Sequence, residues 1–77
     1  MNTLGEAVEV AKQKVVEDDC GYVVIETEDG YDLQPVREEL DIEPNFLALV
    51  SATEITFFTH TEEGIIAEVL KYEPKVN

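Results

Sequence analysis

Basic residues are scarce in this chain. Its 77 residues hold five Lys and Arg against 18 Asp and Glu, with a single His, for a formal net charge of −13. A surface of that sign repels nucleic acid and anionic membranes, because both are bound through basic contacts. The one cysteine, Cys20, excludes an internal disulfide, and small secreted scaffolds normally carry several. One Cys and one His are too few ligands for a zinc centre. The longest uninterrupted apolar run, Phe46 to Val50, is far too short to span a bilayer. Met1 to Gly5 has neither basic residues nor an apolar run, so it does not read as a signal peptide. These absences point to a soluble protein in a reducing, cytoplasmic setting.

What is present is a normal share of apolar residues. The 44% hydrophobic content is that of an ordinary globular chain, and a disordered acidic tail would be poorer in Val, Ile, Leu and Phe. The chain has no repeats and no low-complexity tract, and Pro35, Pro44 and Pro74 do not sit in a Gly/Ser-rich linker. Residues 1–77 are therefore expected to form a single domain. A domain of this size buries only about 60% of its unfolded surface and is marginally stable. Self-repulsion costs it further stability, which a cationic partner, metal ions or high salt would relieve.

Residues 3–17 read as an amphipathic helix. Thr3 and Glu6 have the spacing of a capping box. Leu4, Ala7, Val8, Ala11 and Val15 fall on one stripe at 3.6 residues per turn. Asp18 and Asp19 are unfavourable at a helix C-terminus, so the helix should break there, with Gly21 free to take a positive φ. Residues 22–28 are β-branched and aromatic, hence a strand. Asp29-Gly30 is a hairpin signal of the type I′ kind, with a short return strand over Tyr31 to Leu33. Pro35 suits the first turn of a helix, and 35–41 reads as one or two helical turns with Val36 and Leu40 inward. Phe46 to Ala52 fits a buried strand, with a short helix as the alternative. Residues 54–60 alternate as a strand, 61–64 make a turn, 65–72 return as a strand, and 73–77 are expected to fray. The expected fold class is α+β: a small antiparallel sheet of four to five strands, with the N-terminal helix and the short second helix packed on one face.

The charge is unevenly placed. Residues 1–16 sum to zero, 17–43 carry 11 acids against Arg37 alone, and 44–77 carry a net −3. On a strand, Glu26 and Glu28 would share a face about 6.7 Å apart. Glu38, Glu39 and Asp41 would crown the outer side of the second helix. If hairpin and helix are adjacent, Glu26, Glu28, Asp29, Asp32, Glu38, Glu39 and Asp41 form one contiguous anionic field. That spacing is of the order of phosphates along a nucleic-acid strand, so these seven residues are the candidate partner-binding set.

Other chemistry is poorly supported. A nucleophile–base pair would have to be Cys20 or Ser51 with His60, and none has a local signature. Nearby carboxylates disfavour a Cys20 thiolate. Asp18-Asp19 or the Glu28–Asp32 turn could hold Ca²⁺ weakly, but the spacing is not that of an EF-hand. With 18 acids any pair can be picked as a glycosidase couple, so that pattern carries no information. No catalytic residues, metal site or cofactor are expected. Phe57 and Phe58 are adjacent in a strand and must point to opposite faces, so one of them faces a partner or a second copy, or packs in a second small core beneath the loops of Thr53–Gly64.

In size and charge the chain is similar to small acidic phage and bacterial proteins that mimic DNA and inhibit DNA-binding proteins. That likeness implies a non-enzymatic inhibitor whose acidic segment occupies the basic surface of a nucleic-acid-binding protein, without binding nucleic acid or membrane itself. Two other readings stand beside it. One is a generic small α+β domain from a halophile, with its surface adapted to salt; Glu outnumbers Asp 13 to 5, which gives this no particular help. The other is a small regulatory module that binds a peptide or forms a homodimer through an edge strand.

Overall fold

The computed structural model describes residues 2–39 and 41–73. The elements in chain order are α1 (Leu4–Asp18), β1 (Gly21–Thr27), β2 (Gly30–Val36), β3 (Phe46–Val50), β4 (Glu54–Thr61) and β5 (Gly64–Lys71). The strands form a single antiparallel sheet in the order β2-β1-β3-β4-β5. The α+β class is thus as expected, with one helix rather than two among the described residues.

The helix begins as its first residues dictate. The Thr3 hydroxyl accepts from the Glu6 amide at 3.1 Å, and the Glu6 carboxylate accepts from the Asn2 amide at 3.3 Å. The first bond satisfies an amide that the first turn leaves without a partner, and the second ties the residue before the N-cap back to the helix. Ala7, Val8, Ala11 and Val15 are buried, the stripe that the 3.6-residue period marks out. They pack with Tyr22, Val24, Ala48, Val50 and Ile55 from the sheet. The small residues Ala7, Ala11 and Ala48, all at 0% exposure, let helix and sheet approach closely. The helix backbone lies over β1, β2 and β3, and β4 reaches its core through Ile55 while most of the β4–β5 hairpin extends beyond its cover.

The helix ends differently from expectation. Asp19, not Gly21, takes the left-handed conformation, with φ 53°. Gly21 is needed for another reason: a Cβ there would stand 3.3 Å from the Val50 carbonyl oxygen, so a bare backbone lets β1 start tight against β3.

The first hairpin turns on Glu28-Asp29, one residue earlier than Asp29-Gly30, and Gly30 opens the return strand with φ 130°. Neither Glu28 nor Asp29 has a positive φ, so the turn is not type I′. The second helix over 35–41 does not form. Pro35 lies inside β2, opposite Tyr22, and β2 runs on to Val36. Each residue of β1 finds a partner in β2, and a one- or two-turn helix cannot compete with that ladder because helix nucleation is costly. Leu40, the other residue of the expected apolar pair, lies outside the described residues. Pro35 is tolerated because its position alternates with those that bond to β1, so its ring nitrogen faces the outer edge.

Phe46–Val50 is a strand, not a helix. Its pairing with β1 shifts by one residue between Val24 and Ile25, so Phe46 comes opposite Ile25. This bulge turns Phe46 to the face away from the helix. The last two strands form a long hairpin from Glu54–Lys71 to Thr61–Gly64. Tyr72 fastens its base: the amide donates to Thr53 O at 2.9 Å, the hydroxyl donates to Ser51 O, and the ring lies 4.7 Å from the Lys12 ammonium on α1.

Replacing Asp19 by Gly should relieve the left-handed backbone and remove an anion from the helix C-terminus. A stabilisation of about 0.5–1 kcal/mol is expected, a rise of roughly 2–8 °C in Tm. Thermal unfolding checks it, and a lower Tm would mean that the Asp19 side chain itself holds the turn.

Candidate functional site

All seven candidate partner-binding residues are exposed. Their arrangement follows from the sheet order rather than from a shared strand face. Glu28 and Asp29 sit in the turn, so the expected alignment of Glu26 with Glu28 along a strand does not arise. Glu26 lies on the helix-covered face, since Tyr22 and Val24 of the same parity belong to the helix-packed core. Asp32, opposite Ile25, lies on the other face. Glu38, Glu39 and Asp41 belong to the irregular connection from β2 to β3, not to a helix. The field is therefore divided between two faces and a hairpin tip, all in the half of the sheet built by β1 and β2.

The β2–β3 connection must pass over β1, because β1 lies between those strands. It does so on the face opposite α1. Its far end is pinned where Asn45 O accepts from the Glu26 amide at 2.8 Å. Beneath it, Val23 is 1% exposed and Phe46 is buried, a second small core. A cleft of about 240 Å³ opens here, lined by Val23, Val36, Ile42, Phe46, Leu49 and Phe58, with Glu38 and Glu39 at its rim. Phe58 thus serves this second face while Phe57 packs against the helix-side core. No sequence signal marks this apolar cleft, because it depends on the β3 bulge and on the crossing of 37–45.

The remaining charges are nearly unneutralised. Among the described residues the ion pair is Lys12–Glu9 at 3.2 Å, on the helix and outside the acidic segment. One acid of the segment serves the fold directly. The Tyr22 hydroxyl donates to the Asp18 carboxylate, tying the end of α1 to β1. That bond, with burial second, pushes the Tyr22 pKa up to about 12.

The residues considered for catalysis are dispersed. The Ser51 hydroxyl both accepts from the Glu54 amide and donates to the Glu54 carbonyl, each at 3.1 Å, so it is occupied by the β3–β4 turn. His60 is six residues along β4 from Glu54, about 20 Å at the rise of an extended strand. Its Nε2 donates to Phe46 O at 2.8 Å, tying β4 to the start of β3 beyond the last paired residues, Ala48 and Phe57. Cys20 joins α1 to β1, at the end of the sheet near Val50 and away from His60. Among the described residues no three His, Cys, Asp or Glu side chains converge as metal ligands, and no helix is long and apolar enough to cross a membrane.

Comparison with family models, with curated proteins and with solved structures finds no match for this chain.

The Tyr22–Asp18 bond sets a pH dependence. A raised folded-state pKa contributes stability that is whole below the unfolded value near 10 and is lost as pH climbs towards about 12. Urea unfolding of the parent protein should therefore lose stability across pH 10–12. Tyr22→Phe should be less stable at neutral pH and should lose less over that window. An equal loss in both proteins would assign the alkaline transition to other groups.

Proposed function

We propose that this chain is a non-enzymatic interaction protein that docks its acidic β1–β2 half on a basic nucleic-acid-binding protein and keeps DNA from that surface, as a DNA mimic does. The observation that carries the reading is the adjacency of two features. Residues 17–43 carry 11 acids against one Arg, and two of those acids, Glu38 and Glu39, border an apolar cleft that runs from Val23 and Val36 across to Leu49 and Phe58.

Anions alone attract any basic surface and fix no register. An apolar socket supplies what they lack, because anchors buried at the centre of an interface carry most of its energy while charged rims steer the encounter. The complementary surface is a Lys- or Arg-rich one with a protruding aliphatic or aromatic side chain. Glu38 and Glu39 border the socket, Asp32 lies on the same face, and Glu28 and Asp29 extend the field to the hairpin tip. Asp41 continues it along the connection, and Glu26 flanks it from the helix side. The same charge repels nucleic acid and anionic membranes, so the proposed partner is a protein and the proposed setting is the cytoplasm.

The test is capture on the immobilised full chain. Basic nucleic-acid-binding proteins should be retained from a cell lysate and displaced by duplex DNA. Reversing Glu26, Glu28, Glu38 and Glu39 to Lys should weaken binding of a captured protein roughly a thousand-fold, at about 1 kcal/mol per reversed charge. Circular dichroism should show the fold retained. Undiminished binding by the folded variant would refute this assignment.

A further inference from the structure

The two edges of the sheet are treated in opposite ways. At the β2 edge, outward positions alternate along Tyr31, Leu33 and Pro35. The Leu33 amide is taken by the Asp32 carboxylate at 2.9 Å, and Pro35 has no N–H to offer. This edge is blunted by the devices that prevent strand addition.

The β5 edge carries no such device over most of its length. The Tyr72 amide donates to Thr53 O, which fixes the alternation: even-numbered residues of β5 bond to β4. The N–H and C=O groups of Ile65, Ala67, Val69 and Lys71 therefore point away from the sheet. No strand pairs with that edge among the described residues. Every residue of β5 is exposed, and four are large aliphatics: Ile65 at 47%, Ile66 at 53%, Val69 at 57% and Leu70 at 56%. A long, apolar, unprotected edge strand is a template for pairing.

Charge decides what pairs there. Two copies, each at −13, repel. The sheet order puts β5 farthest from the acidic β1–β2 half, and β5 itself is neutral, with Glu68 balanced by Lys71. Its edge is where two copies can meet with their acidic halves kept apart.

We infer that β5 pairs antiparallel with β5 of a second copy, about a two-fold axis perpendicular to the sheet at Ala67. Residues opposite one another must share a face, so the axis passes through a residue. An axis at Glu68 would set two carboxylates directly against each other, which is unfavourable. An axis at Val69 would set Lys71 against the partner's Ala67. The axis at Ala67 sets Ile65 against the partner's Val69 and brings Lys71 to the partner's 62–63 turn, which carries Glu62 and Glu63, and each contact occurs twice by symmetry. The outward backbone groups of Ile65, Ala67 and Val69 then bond across the axis. Both helices lie on one face of the joined sheet, and the acidic halves lie at its two ends.

Sedimentation equilibrium of the full chain tests this. At near-physiological salt the parent protein should be dimeric at tens of micromolar, and dimerisation should tighten with added salt as the repulsion is screened. Ala67→Glu, at an exposed position, should raise the dimer dissociation constant on the order of ten-fold or more while circular dichroism remains native. In a Cys20→Ser background, Ala67→Cys should oxidise to a covalent dimer, since paired Cα atoms about 5.5 Å apart suit a disulfide. Glu68→Cys, which faces the partner's Ile66 and not itself, should oxidise more slowly. A monomeric parent protein, a dimer indifferent to Ala67→Glu, or faster oxidation of Glu68→Cys would each overturn the inference.

Discussion

Self-repulsion is the constraint around which this fold is arranged. A chain of 77 residues at −13 has a small core with which to oppose it. That core is one helix stripe, Ala7, Val8, Ala11 and Val15, set on Tyr22, Val24, Ala48, Val50 and Ile55. The contact is close because the helix presents alanines to the sheet. The acids are kept out of it. Among the described residues no acid is buried, and no buried side-chain polar atom lacks a hydrogen-bond partner. The repulsion is thus confined to the solvated surface, where screening weakens it.

The sheet order turns this confinement into a polarity. Placing β1 and β2 at one side and the β4–β5 hairpin at the other separates a strongly anionic half from one that ends in a neutral, apolar edge strand. The helix lies over β1, β2 and β3, so the hairpin is held by its ladder with β3, by Ile55 in the core and by Tyr72 at its base. At the acidic half the crossing of residues 37–45 covers Val23 and Phe46 and leaves a cleft with a carboxylate rim. Two kinds of association are thereby assigned to two ends of one small molecule. The first is the end proposed for a basic partner, and the other is the end proposed for a second copy.

Much of the fold is legible in the sequence because it depends on local period. The helix stripe follows from the 3.6-residue spacing, and the strands follow from β-branched and aromatic runs. The failures come from choices that local sequence does not make. Pro35 is as acceptable at the start of a helix as at the rim of a sheet, and the ladder with β1 decides between them. Asp19 and Gly21 both accept unusual backbone, and the close approach to Val50 O fixes Gly21 in the strand. At the site, the excess of anions is plain, but the face that each occupies is not. Moving the turn to Glu28-Asp29 removes Glu28 from the strand, and the expected single field splits. The cleft beneath residues 37–45 arises from a one-residue bulge opposite Ile25 and has no signature in the residues that line it.

The central claim is that the core alone holds the fold, leaving the acidic half for recognition rather than for survival in salt. Thermal unfolding of the full chain as a function of KCl tests it most directly. A cooperative transition well above room temperature at about 0.1 M KCl, where the Debye length is still about 10 Å, is the expected result, with only a modest gain at higher salt. A chain unfolded at that concentration and folded only in molar KCl would contradict the account and mark the charge as an adaptation to salt.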